Sequence, residues 1–173
     1  MMTKYRWFDR EFVFDSPVWM FPDIVERLRG TPARIEDSIR GLEQQIVVRR
    51  DADAWSILEN IGHLLDTEPM WMGRLYDLLG GKQILRPADL ENTATYQADY
   101  NSKSVDSVVP LFRKNRMQFI ERLDQLEESD VLRSAIHPRL NKPMRTIDLA
   151  LFVAEHDDHH LAQITRLKGL FLA

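Results

Sequence analysis

Three of the five histidines in this 173-residue chain lie within one short segment, Glu155–His160. On a helix, residues four apart share a face with Cβ atoms about 5–6 Å apart, so His156 and His160 can bind one cation from adjacent turns. Imidazole nitrogen suits zinc, iron, nickel or copper. His156 and His159, three apart, form a second allowed pair, and the imidazoles could instead hydrogen-bond within a core. The chain has no cysteine, which excludes disulfides, thiolate metal sites and a cysteine nucleophile.

Two protein ligands rarely suffice for a metal, and His63 is the natural third. On a helical wheel centred on Ile61, His63 lies about 160° away. The same side of that helix carries Glu59, Met70 and Arg74. Periodicity alone therefore predicts an exposed His63, unless the helix is packed on two sides or enters a dimer interface.

Helical periodicity predicts four amphipathic helices that must position these residues. They are expected at about 22–42, 56–79, 105–126 and 146–168. We predict the first as one helix kinked near Pro32, with two short helices as the alternative. Ser56 and Glu59 give the second helix a capping-box signature. Strand-like alternation is nearly absent, and its best candidate is the short segment 45–49.

The connections between the helices indicate how they are arranged. Residues 82–104 are polar and too numerous for a simple hairpin between neighbouring helices, which suggests a crossover along a bundle. Residues 127–145 are expected to form a loop, and Gly169 is a plausible C-cap of the fourth helix. We predict an all-α fold, a four-helix bundle with a long crossover between helices 2 and 3, as a single domain over residues 1–173.

The composition excludes several classes of partner. Lys and Arg number 23 against 27 Asp and Glu, a net charge of −4, and no block of like charge marks a surface for nucleic acid or anionic lipid. No apolar segment is long enough to span a bilayer, so no membrane association is expected. Residues 1–11 carry a charge every few positions, unlike a signal peptide. We therefore expect a cytoplasmic protein.

Two longer motifs carry a family resemblance. The segment 55–64, Trp-Ser-Ile-Leu-Glu-Asn-Ile-Gly-His-Leu, with Glu68 after it, resembles the second-helix signature of the DinB-like superfamily. The segment 156–164, His-Asp-Asp-His-His-Leu-Ala-Gln-Ile, resembles its fourth-helix signature. Smaller matches occur at 28–34, at Arg116 and at His137-Pro138, so the resemblance spans nearly the whole chain.

This resemblance implies a metal site within a four-helix bundle that has a long second-to-third crossover. Carried over, the ligands of a divalent metal are His63, His156 and His160, with water in the open positions; zinc, nickel and iron are the metals considered. His159 is expected to support the site or to face solvent. The role of His137 stays open.

An open coordination position is typical of catalytic rather than structural metal sites. Relatives in this superfamily include thiol transferases and isomerases that use a low-molecular-weight thiol. The resemblance therefore implies a metal-dependent transferase, with a small thiol as partner, or a hydrolase, acting on a small molecule. Glu59 is a candidate catalytic group that could orient His63 or shuttle a proton, or serve only in the capping box. Arg116 could bind an anionic substrate group or pair with a buried carboxylate.

Other classes of function remain to be weighed. One is a non-catalytic metal-binding protein, such as a stress-response dimer. A ferritin-like dimetal enzyme fits poorly, because it needs Glu-x-x-His pairs and Glu59/His63 and Glu155/His159 are four apart. A homodimer is expected, because the far side of the second helix carries Met70 and the flank Trp71.

Overall fold

The computed structural model describes residues 6–172, which form eight α-helices, two short strands and three 3₁₀ turns. The helices are α1 (Phe21–Arg29), α2 (Thr31–Ile39), α3 (Gln44–Val47), α4 (Ile57–Leu79), α5 (Thr93–Gln97), α6 (Val105–Leu123), α7 (Glu128–Val131) and α8 (Thr146–Leu172). The strands are β1 (Ser134–His137) and β2 (Lys142–Arg145). The 3₁₀ turns are Trp7–Asp9, Val18–Met20 and Tyr100–Ser102.

The long helices form the predicted four-helix bundle. Helix α4 packs along α6 and α8, while α1 and α2 together supply the fourth column against the same two helices. The segment between α4 and α6 is the predicted crossover, and it contains α5 and one 3₁₀ turn. The all-α bundle with a long crossover between its second and third columns is therefore confirmed.

The first column consists of two helices, so the prediction of one kinked helix is wrong and the alternative is correct. Pro32 has no N–H, and its ring conflicts with the carbonyl four residues earlier, which interrupts the helical hydrogen bonds. Gly30, between the helices, keeps right-handed helical angles (φ −75°, ψ −16°). The apolar stripe therefore keeps its phase across the break.

The ends of the two longest helices differ in how well they follow local signals. At the start of α4, Glu59 N–H donates to Ser56 Oγ (3.1 Å) and Ser56 N–H donates to Glu59 Oε2 (2.8 Å), which confirms the capping box. Helix α8 begins at Thr146 as predicted but continues through Gly169 to Leu172, so Gly169 is not its C-cap.

Both predictions about strands are wrong. Residues 45–49 lie in and after the helical turn α3, and the loop expected at 127–145 contains the antiparallel hairpin β1–β2. A parallel bridge between Ile84 and Ile136 ties the hairpin to the crossover, with Leu85 N–H donating to the Ile136 carbonyl (3.0 Å). The two strands pair with each other across a short turn, and only the bridge at Ile136 joins them to a distant segment. The bridge places His137 beside α4.

A polar layer divides the core of the bundle into two apolar clusters. Each column contributes one residue to this layer: Thr31, Glu68, Arg116 and Asp157. Arg116 donates to Glu68 Oε1 (2.6 Å) and to both carboxylate oxygens of Asp157. Thr31 Oγ1 also donates to Asp157 Oδ2 (2.7 Å). Each charged group in this layer has at least one hydrogen bond, although Glu68 Oε2 has no partner among residues 6–172.

No helix within residues 6–172 is long and apolar enough to cross a membrane. Residues 1–5, which begin the charged segment noted in the sequence, lie outside the described residues.

Candidate metal centre

Three buried imidazoles meet between α4 and α8. The ligand atoms of His63, His156 and His160 all lie within 4.8 Å of one another, and the Nε2 atoms of His63 and His156 are 3.3 Å apart. These are the three residues that the family resemblance implies as ligands. The pair on α8 that takes part is the one four residues apart, and His159 lies outside the group.

The burial of His63 overturns the helical-wheel prediction that it is exposed: the side chain is 8% exposed. Helix α4 is covered on two sides, by the bundle core on one and by the crossover on the other. Tyr100 of the crossover packs so closely that a Cβ on Gly62 would lie 2.2 Å from its ring. Tyr100 Oη also donates to Asp66 Oδ1 (2.6 Å), which holds the crossover against this side.

A chain of hydrogen bonds from the crossover sets the tautomer of His63. Thr95 Oγ1 donates to Asp66 Oδ2 (2.9 Å) and therefore must accept from its other neighbour, His63 Nδ1, at 3.1 Å. With the proton on Nδ1, the lone pair of His63 is on Nε2, the atom that faces His156. Such an outer hydrogen bond is the usual way to orient a ligating imidazole.

The same logic applies to His160. The Nδ2 group of Asn60 donates to the Ser56 carbonyl (2.7 Å), so Asn60 Oδ1 is free to accept from His160 Nδ1 at 2.9 Å. The lone pair of His160 is then on Nε2. For two of the three imidazoles, hydrogen bonds to neighbouring side chains thus determine which nitrogen is unprotonated.

His156 is enclosed by aromatic rings. Its ring lies 5.1 Å from that of Trp7 and 5.6 Å from that of Trp71, centroid to centroid. Its Nδ1 is buried and has no hydrogen-bond partner among residues 6–172. The segment that carries Trp7 is held over α8, since Arg10 donates to Glu155.

Burial keeps all three imidazoles neutral near pH 7. It lowers the pKa of His63 to about 4, and it lowers the pKa of both His156 and His160 well below the ordinary value, with further lowering from the neighbouring histidines. Neutral imidazole is the form that binds metal.

The donor set fits a divalent metal. A tetrahedral metal with metal–nitrogen distances of about 2.0–2.1 Å separates its ligand nitrogens by about 3.3 Å, the spacing of the two Nε2 atoms. These ring nitrogens have no partners within the described residues other than one another. They leave at least one coordination position for an exogenous ligand.

A cavity of about 440 Å³ opens beside the three histidines. Its walls are largely aromatic, with Trp7, Trp55, Trp71 and Phe152 among them. The ring of Trp55 lies 4.8 Å from that of His63, centroid to centroid. The site can therefore admit a small molecule and surround its apolar part.

Neither of the two candidate catalytic residues lines this cavity. Glu59 is 5% exposed and bonded to Ser56 and to the guanidinium of Arg50. Arg116 is fully buried between Glu68 and Asp157. The geometry favours a structural role for both, including the pairing with a buried carboxylate considered for Arg116.

Other residues singled out in the sequence line the cavity instead. His159 is half-buried, lines it and packs 5.8 Å from the Trp7 ring, between centroids. Met70 and Trp71, whose apolar surface suggested a subunit contact, also face the cavity. That argument for a homodimer no longer holds, and the oligomeric state stays a prediction.

Sequence reasoning missed the residues that orient the imidazoles. Thr95 lies in a polar connection that has no recognisable pattern, and no local signal marks it. Asn60 is three residues before His63 and four after Ser56, a position that only the tertiary contact with α8 makes meaningful. Of the tryptophans that line the cavity, Trp55 was already visible in the sequence as part of the family motif.

Comparisons with known proteins agree with this architecture. The model of the DinB superfamily matches residues 18–164. The fold is similar to that of YfiT from Bacillus subtilis, described as a probable metal-dependent hydrolase with an unusual four-helix bundle topology. The TM-score is 0.79 and the identity 18%, over 93% of each chain. A protein from Streptococcus pneumoniae matches with TM-score 0.69 and 12% identity, over 87% of this chain and 91% of its own. No curated protein matches significantly. With a family match over most of its length, the chain belongs to the DinB superfamily.

Proposed function

We propose that this protein is a metal-dependent enzyme acting on a small molecule, with a divalent metal held by His63, His156 and His160. The nucleophile is water in a hydrolase or a small thiol in a transferase. One observation carries the proposal: the ligand nitrogens of three neutral imidazoles converge beside a cavity large enough for a small substrate. The description of YfiT as a probable metal-dependent hydrolase supports it.

A divalent metal supplies Lewis acidity, which lowers the pKa of a bound water or thiol so that the nucleophile forms near neutral pH. The protein contributes neutral ligands, so no ligand charge offsets that of the metal. Thr95 and Asn60 keep the Nδ1 protons of His63 and His160 in place. Asp66 anchors Thr95 in turn.

The cavity supplies binding and proton transfer. Its tryptophan walls exclude water and bury the apolar part of a substrate. Asp89 and His159 are titratable side chains that line it, and they are the groups we assign to accept the proton of the nucleophile. Asp89 is held in place by the Ala94 N–H, which donates to its Oδ2 (3.1 Å).

Metal content tests the ligand set directly. We expect elemental analysis to find about one first-row metal per chain, because three imidazoles form one site. His63→Ala, His156→Ala and His160→Ala should each bind zinc far more weakly, since two imidazoles remain. His159→Ala should keep the metal, with at most the roughly 10–100-fold loss of affinity typical of an outer residue. Loss of binding in His159→Ala alone would overturn the ligand set.

The hydrogen bond from Thr95 gives a finer test. Thr95→Val keeps the shape of the side chain and removes the acceptor for His63 Nδ1, so zinc affinity should fall roughly 10–100-fold. Thr165→Val is the matched control, because Thr165 is exposed on α8 away from the site. Equal affinities in the two variants would show that the Thr95 contact does not support a metal ligand.

Cobalt substitution separates an open site from a closed one. Cobalt-loaded protein should change its visible spectrum on addition of azide or 2-mercaptoethanol, because an open position admits an exogenous ligand. A response to the thiol that saturates at lower concentration than the response to azide would favour the transferase. No response to either ligand would favour a non-catalytic metal protein.

A further inference from the structure

A second polar cluster lines the same cavity away from the three histidines. It consists of Arg74 on α4, His137 at the end of β1, and Arg139 in the hairpin turn. Arg74 follows His63 by eleven residues, which corresponds to about three helical turns and about 16 Å along the same face of α4. The cavity therefore runs from the imidazole cluster at one end to a cationic cluster at the other.

Arg74 is buried without a counter-charge. Its side chain is 1% exposed, and no carboxylate among residues 6–172 forms an ion pair with it. Its hydrogen bonds go to neutral acceptors: Nε donates to the Arg86 carbonyl (3.1 Å), and Nη1 is 3.0 Å from His137 Nε2. Its guanidinium also stacks 5.6 Å from the centroid of the Trp71 ring. A buried cation without an anion is costly, so proteins seldom keep one without a use for it.

The hydrogen bonds at His137 show that this cluster has more donors than acceptors. Leu140 N–H donates to His137 Nδ1 (3.2 Å), while Nη1 of Arg74 faces Nε2. A neutral imidazole carries one proton on one of its two nitrogens. Whichever nitrogen holds it, one N–H of the cluster faces another N–H instead of an acceptor.

Arg139 adds a further N–H donor that lacks an acceptor. Its Nη2 is buried and has no hydrogen-bond partner in the described part of the chain, although its guanidinium lies over the Phe8 ring. The nearby Arg86, by contrast, is neutralised by Asp77. Burial, aided by Arg139 and only partly offset by Asp77, lowers the pKa of Arg74 to about 10.

We propose that Arg74 and Arg139 bind the anionic end of a small molecule, a carboxylate, phosphate or sulfonate, whose apolar body lies along the aromatic walls of the cavity. An anion would supply the acceptors that the cluster lacks, and guanidinium groups suit such ions because they present several donors in one plane. The proposal names the class of substrate for the proposed enzyme. Only the statement that the bound anion is a substrate rests on the proposed function, because binding of the anion by the two arginines does not need the metal.

The test compares a carboxylate with a neutral molecule of nearly the same shape. We would titrate 4-phenylbutyrate and 4-phenylbutyramide into the purified protein and follow tryptophan fluorescence, since three tryptophans line the cavity. Hydrogen bonds between charged groups should make the acid bind about 10–100-fold more tightly than the amide. Equal affinities, or no measurable binding of the acid, would overturn the proposal.

Variants show which side chains cause the preference for the acid over the amide. Arg74→Met and Arg139→Met should each reduce it, with little change for the amide, and Arg139, which is only half-buried, gives a variant less exposed to failed folding. Arg122→Met removes a positive charge that does not line the cavity and should keep the preference. His63→Ala should also keep it. A preference lost in His63→Ala but intact in both arginine variants would place the carboxylate at the histidines and refute the proposal, whereas failure to bind metal would refute only the proposed function.

Discussion

Two arginines, Arg116 and Arg74, are equally hidden from solvent but differ in what surrounds them. Both are 1% exposed or less. Arg116 lies in the middle of the bundle, where Glu68 and Asp157 neutralise it, and it does not line the cavity beside the histidines. Arg74 lines the cavity and has no carboxylate partner among residues 6–172.

The difference separates a structural charge from a functional one. The pKa of Arg116 would be lowered by burial but is raised by its two carboxylates, whereas the pKa of Arg74 stays depressed. A charge whose counter-ions come from the fold is satisfied once the chain folds. A charge that faces a cavity without a counter-ion is satisfied only when a ligand brings one.

The largest effect on stability should come from removing the positive charge of the polar layer in the bundle core. Arg116→Met leaves Glu68 and Asp157 buried and facing each other without a cation. Breaking a buried ion pair in this way typically costs about 3–5 kcal/mol, so we expect a loss of that size in the free energy of unfolding. Urea denaturation followed by circular dichroism measures it.

Arg122→Met provides the comparison for that measurement, because Arg122 is half-buried and, among residues 6–172, donates only an exposed hydrogen bond to the side chain of Gln125. It should change the free energy of unfolding by less than about 0.5 kcal/mol. If Arg116→Met were as mild as Arg122→Met, the polar layer would not be a stabilising element of the bundle, and its charges would need another explanation.

An intermediate effect on stability should come from His137, which lies beside Arg74, the arginine that has no carboxylate partner among residues 6–172. Burial, together with Arg74 and Arg139, lowers the pKa of His137 from its ordinary value to about 4. Between pH 6.5 and 4, His137 therefore binds a proton in the unfolded chain but stays neutral in the folded one. Stability should fall as the pH decreases through this range, by up to about 1.4 kcal/mol per pH unit for this one imidazole.

His137→Gln removes that contribution while keeping an acceptor for Arg74. Its free energy of unfolding, measured in urea at pH 7, 6 and 5, should depend less steeply on pH than that of the unmodified protein. Some dependence should remain, because burial also lowers the pKa values of the three clustered histidines. An unchanged slope would mean that His137 takes up its proton in the folded state as readily as in the unfolded one.

The sequence predicts the bundle well, because each long helix carries a continuous apolar stripe of the right period. It fails where structure depends on distant partners. The hairpin that carries His137 consists of two four-residue strands tied to the crossover through Ile84 and Ile136. Strands of four residues leave too little periodicity to detect, and their bridge to the crossover joins segments far apart in the sequence. Pro32 shows the reverse case, because it marks a local break between α1 and α2 although the apolar stripe continues in phase through it.

The site was predictable where a pattern was local and unpredictable where contact decided it. The spacing of His156 and His160 indicated a shared face, but the wheel placed His63 and Arg74 on an exposed side. A wheel assumes one buried face, whereas α4 is covered on two. The polar residues on the apolar stripes, such as Arg116, were visible as anomalies, and only the fold shows which carboxylates they meet.

Only a small change in stability should follow from Arg74→Met, although that residue is as deeply buried as Arg116. The substitution removes a cation that has no anion to leave behind, and methionine fills much of the same space against Trp71. We expect a change in the free energy of unfolding within about 1 kcal/mol, in either direction, because replacing a buried charge by an apolar side chain is often neutral or stabilising when no partner is orphaned. Urea denaturation of Arg74→Met and Arg116→Met under the same conditions makes the comparison quantitative. If the two variants lose stability equally, Arg74 supports the fold as Arg116 does, and its place in the cavity is no evidence for a ligand. If only Arg116→Met is destabilised, the positive charge of Arg74 is retained at a position where folding does not require it, as expected for a residue that binds an anion.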